Sequence, residues 1–295
     1  MSTADVAVGQ ASGQLDSVLH WLRLLRSELS LTFLRKRNLA LLAVLAAVPV
    51  LLGLVLRFSS GGGGGGGGGN GNPPAFLHQV TGNGVFLAFL ALVVESTLVL
   101  PLVVAVVAGD SIAGEANRGT LRYLLAVPAG RTRLLGIKLA ATVVFCVGAC
   151  LLVSVVAVAV GAILFPIGPV TLLSGIPVSL GAGLLRLLFV ALYLAAAMAA
   201  LGAIGLAIST FTEHPIGAIA AVLVIAVASQ VMDTVSQLDV IHPYLPTHWW
   251  LSFDSLLRSP VVWPELGHGL LSFGVYIVIF CSIAWARFTT ADVTS

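Results

Sequence analysis

The sequence predicts an all-α polytopic membrane protein: six transmembrane helices, an N-terminal amphipathic interfacial helix before them, and broken external helices before the last span. Two observations predict this class. Of the 295 residues, 58% are hydrophobic and 9% are charged, and the mean hydropathy is +1.07, which is far more apolar than a soluble domain. The apolar residues also fall into six runs, each near the roughly 20 residues that a helix needs to cross a bilayer.

Two different patterns precede the first apolar run. Residues 1–14 are small and polar, and we expect a flexible tail. Over residues 15–37, leucine and valine recur at helical spacing on one face, which predicts an amphipathic helix. The segment carries five basic residues, Arg23, Arg26, Arg35, Lys36 and Arg37. This combination favours a helix lying on an anionic membrane surface, with a soluble helix as the alternative.

The six apolar runs form one unit over residues 38–295. We expect spans near residues 38–57, 83–108, 138–165, 184–208, 215–232 and 268–287. An even number of spans places both termini on one side. With the termini inside, the cytoplasmic segments hold most of the basic residues, namely Arg23, Arg26, Arg35, Lys36, Arg37, Arg118, Arg122, Arg131, Arg133, Lys138 and Arg287, whereas the other side holds Arg57, Arg186 and Arg258. The positive-inside rule therefore predicts cytoplasmic termini.

The segments outside the spans predict two further external features. Residues 58–82 contain nine consecutive glycines, Gly61 to Gly69, and we expect a flexible loop. Residues 233–267 contain four prolines together with paired tryptophans, which predicts short interfacial or re-entrant helices. The histidines and aspartates of this segment have no standard metal-ligand spacing, and we expect no metal site.

The fourth span carries alanine at every fourth position from Ala191 to Ala207. Such a stripe of small residues lets two helices approach closely, because lipid gives helices no hydrophobic drive to associate. The sequence leaves open whether the stripe packs within the subunit or at a dimer seam.

Enzyme motifs are absent from the sequence. It contains no Gly-x-Ser-x-Gly elbow, no His-Glu-x-x-His pair and no Walker-type nucleotide site, so we expect no catalytic residues and no cofactor bound by this chain. The net charge of +2 gives no indication of a nucleic-acid partner. Substrate chemistry therefore has to be sought inside the membrane spans.

One carboxylate, Glu95, lies deep in a predicted span, and an intramembrane acid is a functional candidate by default. Two interpretations stay open. Glu95 either makes a structural hydrogen bond to Ser96, Thr97 or a neighbouring helix, or lines a translocation pathway that selects a cationic or amphiphilic substrate. An intramembrane enzyme that joins Glu95 to the external histidines is disfavoured, because about half a bilayer separates them.

Residues 109–138 concentrate charge between the second and third spans, with five basic and two acidic side chains. Asp110 and Glu115 are expected to start a helix and Arg118 to follow them, an order that suits the helix dipole. Pro128 and Gly130 then predict a break, and Arg131 begins a second short helix that leads to the third span. A simple positive-inside anchor is the alternative to a docking role.

The order of residues in this segment resembles the signature of ABC-2-type permeases, the membrane subunits of one class of ABC transporters. The matching positions are Asp110, Glu115, Gly119, Thr120, Leu121, Leu124, Leu125, Pro128, Arg131 and Lys138. The sequence has Ala129-Gly130 where the family often has a serine before the arginine. The predicted entry helix, six spans and broken external segment extend the resemblance over the whole chain.

The resemblance implies several partners and roles. It implies a dimer of two permease subunits, homomeric or heteromeric, resting on two copies of an ABC ATP-binding subunit, which would hold ATP and Mg. The loop after the second span would contact that ATPase. The candidate coupling residues are Asp110, Glu115, Arg118, Gly119, Thr120, Leu121, Pro128, Arg131 and Lys138, and the glycine before the threonine would permit close backbone approach.

The expected function is therefore export of a drug, lipid or other amphiphile across a bacterial cytoplasmic membrane. A non-transporting anchor or sensor subunit is the alternative. Similar scaffolds carry many different substrates, and the sequence does not choose among them.

Overall fold

The computed structural model describes residues 23–61, 83–119, 131–172 and 174–290. Within these ranges the helices are α1 (23–34), α2 (Lys36–Gly61), α3 (Phe86–Thr97), α4 (Val99–Asn117), α5 (Arg131–Leu164), α6 (Leu180–Ser209), α7 (Pro215–Asp233) and α8 (Trp263–Thr290). A two-stranded antiparallel hairpin joins α5 to α6 and pairs β1 (Val170–Thr171) with β2 (Pro177–Val178). The predicted flexible tail and most of the predicted glycine-rich loop lie outside the described residues.

Six of these helices are long and apolar enough to cross a membrane: α2, α4, α5, α6, α7 and α8. This confirms the prediction of an all-α polytopic membrane protein with six spans. Several helices extend past the predicted limits of the spans: α2 continues to Gly61 and α4 to Asn117, while α5 begins at Arg131, α6 at Leu180 and α8 at Trp263.

The second predicted span differs from expectation because it is two helices, α3 and α4, separated at Leu98. Pro101 explains the break, because it has no N–H to donate to the carbonyl oxygen of Thr97 and its ring crowds the preceding turn. Leu98 accordingly leaves the helical region, with φ −143° and ψ −47°. The side-chain amide of Gln230, on α7, donates to the Thr97 carbonyl at 2.9 Å and takes the place of the missing N–H.

Helix α6 is the most buried of the spans and forms the centre of the bundle. Its alanine stripe is buried from Ala191 to Ala207. Beside the stripe, a Cβ on Gly202 would lie 2.7 Å from the Thr142 side chain, and one on Gly205 would lie 2.9 Å from Ala108. The small residues therefore pack α6 against α4 and α5 within one chain, which answers the question that the sequence left open.

The start of α3 and the end of α5 are joined by a close contact between their backbones. A Cβ on Gly84 would collide with the backbone carbonyl of Gly161, and a Cβ on Gly161 would collide with that of Gly84. The Asn83 side-chain amide fastens the same corner by donating to the carbonyl oxygens of Gly168 and Pro169, at 2.9 Å each. Only glycine fits at this contact.

The segment between α7 and α8 consists of three 3₁₀ helices, Ser236–Leu238, His242–Tyr244 and His248–Leu257. This confirms the predicted broken helices, while re-entry into the membrane stays a prediction. Trp250 is 3% exposed and packs in the core, in contrast to the headgroup position that the sequence suggested. Arg186 fastens the segment to α6 by donating to the carbonyl oxygens of Leu256 and Arg258.

Candidate functional site

The starts of α2 and α5 and the end of α4 lie together, and we call this the basic end of the bundle. Here Asp110 of α4 binds two arginines at the junction of α1 and α2. Its Oδ2 accepts from Arg35 Nη1 at 2.6 Å and from Arg37 Nη2 at 2.9 Å. The Asp110 side chain is 9% exposed, whereas those of Arg35 and Arg37 are 36% and 43% exposed. This pairing attaches the entry helix to the second span.

Lys138 of α5 forms the other half of the same cluster. Its ammonium lies 2.6 Å from Glu115 Oε1 and 3.7 Å from Glu28 Oε1 of α1, and its side chain is 4% exposed. A buried ammonium needs such partners, because removing a charge from water without compensation costs several kcal/mol. We call Glu28, Arg35, Arg37, Asp110, Glu115 and Lys138 the ion-pair cluster; its members line a cavity of about 60 Å³.

The position of the acids corrects one expectation from the sequence. Asp110 and Glu115 lie in the last turns of α4 and do not begin a helix. Carboxylates are disfavoured at this end, because the helix macrodipole is negative there. The basic partners from α1, α2 and α5 offset this unfavourable term. Gly114 makes room for the arrangement, since a Cβ there would lie 2.6 Å from Asp110 Cγ.

Helix α4 ends at the remaining predicted coupling residues. Arg118 folds back and donates from Nε to the Gly114 carbonyl at 2.8 Å, which satisfies an exposed acceptor of the last turn. Gly119 has φ +69°, and a Cβ at this position would have no atom of the described residues within 4 Å. Within the described part of the chain, Gly119 is therefore explained by its left-handed backbone rather than by close approach of a neighbour.

Three predicted coupling residues, Thr120, Leu121 and Pro128, lie outside the described residues. Arg131 is the first residue of α5, which runs without a break through Lys138 into the third span. The separate short helix predicted from Arg131 to Lys138 is therefore wrong, because no proline interrupts this stretch and Gly136 alone does not break the helix.

Three members of the cluster were not identified as site residues from the sequence: Glu28, Arg35 and Arg37. Sequence reasoning assigned both arginines to lipid. The signal that was missed is Asp110, a carboxylate near the end of an apolar span. A carboxylate at such a position needs a cationic partner from another helix.

Glu95, the predicted pathway residue, lies in α3 three residues before the break at Leu98. It is 0% exposed, and neither carboxyl oxygen has a hydrogen-bond partner among the described residues. The hydroxyls of Ser96 and Thr97 both donate to the Val93 carbonyl. The proposed structural hydrogen bonds are therefore not formed with the neighbours that the sequence suggested.

Histidines and aspartates of residues 233–248 form a small polar group at the end of α7. His248 Nδ1 lies 2.6 Å from Asp233 Oδ1, and His242 Nε2 lies 3.1 Å from the carbonyl oxygens of Met232 and Val235. No group of three or more His, Cys, Asp or Glu side chains within the described ranges is arranged to hold a metal ion. These contacts fasten the 3₁₀ segment to the end of α7.

Comparison with known protein families identifies a match. The family model described as ABC-2 family transporter protein matches residues 31–229. The matched range contains the arginines that bind Asp110, all of the described α4 and α5, and Glu95. No curated protein matches the chain.

Proposed function

We infer that this chain, which belongs to the ABC-2 family of transporter proteins and is the membrane permease of an ABC transporter, exports a substrate using ATP hydrolysed on a separate subunit. The observation that carries the proposal is the family match over two thirds of the chain, including the spans on both sides of residues 118–130. Export of a drug, lipid or other amphiphile fits a permease with short external segments and a buried polar group in a span.

We propose that force enters through residues 118–130. Helix α4 has 19 residues and α5 has 34, and both reach this segment directly. A helix rises about 1.5 Å per residue, so each is a rigid rod of membrane-spanning length. Displacement of the segment by a partner would therefore move two spans together. This mechanism assigns the contact with the ATPase to Gly119, Thr120, Leu121, Pro128 and Arg131.

The ion-pair cluster has a different part in this mechanism. Asp110, Glu115 and Lys138 bind groups of their own chain, so they hold α1, α4 and α5 together and do not need to touch the ATPase. Their contribution to coupling is to transmit displacement from α4 and α5 to the entry helix. Arg118 lies between the two groups, because it closes the last turn of α4 while remaining exposed.

We propose the family arrangement of two permeases with two ATPase subunits in a bacterial cytoplasmic membrane, with ATP and Mg on the ATPase. The basic end would face the cytoplasm, as the distribution of Lys and Arg predicts. This orientation brings residues 118–130 to the side where ATP is available. A homodimer and a heterodimer are both compatible with it.

Glu95 is the proposed polar contact for the substrate. A fully buried carboxyl without hydrogen bonds costs free energy, so its presence needs a compensating role. The neighbouring break at Leu98 also interrupts the helix at this level. A cationic or hydrogen-bond-donating amphiphile that reached Glu95 would satisfy the carboxyl oxygens, which gives the site its chemical preference.

The coupling proposal is tested with the complete transporter in proteoliposomes. Arg131→Ala is expected to lower substrate-stimulated ATPase activity by at least tenfold while leaving the apparent melting temperature unchanged. Glu115→Ala serves as the structural comparison and should lower the melting temperature, because it removes a partner of Lys138. Arg258→Ala, at the other end of the bundle, is the matched control. Normal coupled activity in Arg131→Ala would show that the docking assignment is wrong.

The transport proposal is tested in inverted vesicles that contain the permease and its ATPase. ATP-dependent uptake of labelled cationic amphiphiles is expected, and Glu95→Gln should reduce it because the amide keeps the shape of the side chain but cannot offer a carboxylate to a cation. Uptake that is identical in the variant would return Glu95 to a structural role. Absence of uptake for every substrate class would favour an anchor or sensor subunit.

A further inference from the structure

A second cavity of about 250 Å³ opens at the basic end, beside the ion-pair cluster. It is lined by Arg35, Arg37, Asp110, Gly114, Asn117, Arg118 and Pro215. These residues come from the junction of α1 and α2, the end of α4 and the start of α7. The volume is enough for a phosphate group together with several water molecules, each of which occupies about 30 Å³ in the liquid.

The charge of this cavity is strongly unbalanced. Three guanidinium groups line it, and Asp110 supplies the one carboxylate among the lining residues. Arg35 and Arg37 share Asp110 Oδ2, while Arg118 Nε is held by the Gly114 carbonyl. Each guanidinium has five N–H donors, so these contacts leave donors on all three groups. Their excess positive charge favours an anion with several acceptor oxygens.

The cavity lies at the ends of two membrane spans. Arg35 directly precedes α2, and Pro215 is the first residue of α7. Large apolar side chains next to these residues are exposed: Leu34 by 70%, Leu39 by 47% and Ile216 by 82%. This juxtaposition of guanidinium groups with exposed apolar side chains matches the boundary between headgroups and acyl chains.

We propose that this cavity binds the phosphate of an anionic phospholipid from the leaflet at the basic end. The phosphate oxygens would accept hydrogen bonds from Arg35, Arg37 and Arg118, since planar guanidinium groups match phosphate geometry. The acyl chains would lie against Leu34 and Ile216. The bound lipid would then contact α2, α4 and α7 at the same time, although these helices are far apart in the sequence.

The apolar flank favours a lipid over a free phosphate or an acidic loop of the ATPase. Neither of those ligands gains from contact with exposed leucine and isoleucine at membrane depth, whereas acyl chains do. A zwitterionic headgroup is also a poorer fit, because its own cation would face three guanidinium groups. The proposed site therefore selects the anionic headgroup and not merely the presence of lipid.

The experiment measures lipid binding to the full-length chain, purified with any ATPase that accompanies it. Dioleoyl phosphatidylglycerol and dioleoyl phosphatidylcholine, which have the same acyl chains, are titrated while thermal unfolding and native mass spectrometry are followed. Inorganic phosphate and glycerol phosphate are the soluble probes. Arg118→Gln is the test variant, because it leaves both arginine partners of Asp110 in place. Arg258→Gln is the control, since that arginine lies at the other end and pairs with Asp254.

We expect phosphatidylglycerol to bind and stabilise the wild-type chain in preference to phosphatidylcholine. Arg118→Gln should weaken that binding about tenfold, as expected for loss of one charge-assisted contact, and Arg258→Gln should not change it. Equal affinity for the two lipids, or unchanged affinity in Arg118→Gln, would overturn the proposal. Full stabilisation by soluble phosphate would overturn the lipid assignment. Loss of ATPase co-purification in Arg118→Gln with unchanged lipid binding would identify a protein contact and overturn it as well.

Discussion

Replacing Gly114 by alanine separates a local helix preference from the tertiary role of Asp110. Alanine in a helix interior is favoured over glycine by about 1 kcal/mol, so the change would stabilise α4 in isolation. In the folded chain, however, the new Cβ would lie 2.6 Å from Asp110 Cγ. The carboxylate must then rotate away, and its contacts with Arg35 and Arg37 are lost.

The magnitude follows from the exposure of the partners. Hydrogen bonds to charged groups contribute about 1.5–3 kcal/mol each, and exposed ion pairs contribute about 1 kcal/mol or less. Arg35 and Arg37 are 36% and 43% exposed, so about 1 kcal/mol for each contact is appropriate. Displacing the nearly buried carboxylate of Asp110 adds roughly another 1 kcal/mol. After the helix gain is subtracted, Gly114→Ala should destabilise the chain by about 2 kcal/mol.

Gly136→Ala is the matched control, because Gly136 is also helical and a Cβ there has nothing within 4 Å. It should gain up to about 1 kcal/mol, so the two variants should differ by about 3 kcal/mol, or roughly 6–12 °C in apparent melting temperature. A thiol-reactive dye provides the assay, since Cys146 and Cys150 are buried and react on unfolding. Equal melting temperatures for the two alanine variants would refute the steric argument.

Three further changes test other parts of the fold. Gly84→Ala should destabilise by more than about 2 kcal/mol, because its Cβ meets the rigid backbone of Gly161 and cannot be accommodated by a side-chain shift. Gln230→Leu should cost about 1 kcal/mol by leaving a carbonyl at the helix break without its donor, and Pro101→Ala should reduce that cost by restoring the helical N–H. Glu95→Met should stabilise by about 1–2 kcal/mol, since it replaces an unpartnered buried carboxyl, while transport is lost.

The same thermal assay checks these three changes, with a transport assay added for Glu95. Gly274→Ala is the control for Gly84, because a Cβ at Gly274 meets open space. Equal stability of those two variants would contradict the backbone contact. A loss from Gln230→Leu that Pro101→Ala leaves undiminished would contradict the proposed replacement of the N–H. A lower melting temperature in Glu95→Met would show that the carboxyl has a stabilising partner.

The six spans were predictable because their signal is local. A run of about 20 apolar residues has few stable alternatives to a transmembrane helix, since backbone groups must be satisfied within lipid. The break at Leu98 also had a local cause in Pro101, but the predominance of apolar residues over 83–108 concealed it. The early start of α5 at Arg131 was missed because the charged residues 131–138 were interpreted as lying outside the span. Charge does not end a helix, and no proline interrupts this stretch.

The partners in the ion-pair cluster were not predictable in the same way. Asp110 binds Arg35 across 75 positions of the chain, so the pairing depends on how α2 and α4 pack. Local reasoning instead paired the acids with the helix dipole and with Arg118. The structure shows the opposite arrangement. Helix α4 extends past the predicted end of the second span, so Asp110 and Glu115 lie near its C-terminus, where the helix dipole is negative.

The contact between Gly84 and Gly161 defines a pivot for the second and third spans. Backbone touches backbone there, so the two spans cannot be drawn closer or slide freely at that end. From Gly161 to Arg131 the α5 helix extends about 45 Å, which makes it a long lever arm. Lys138 lies 23 residues, or about 35 Å, from Gly161. A tilt of about 5° about the glycines would therefore shift it by about 3 Å, more than the 2.6 Å separation of Lys138 and Glu115. Small rotations at one end of the bundle would thereby be enough to make and break ion pairs at the other.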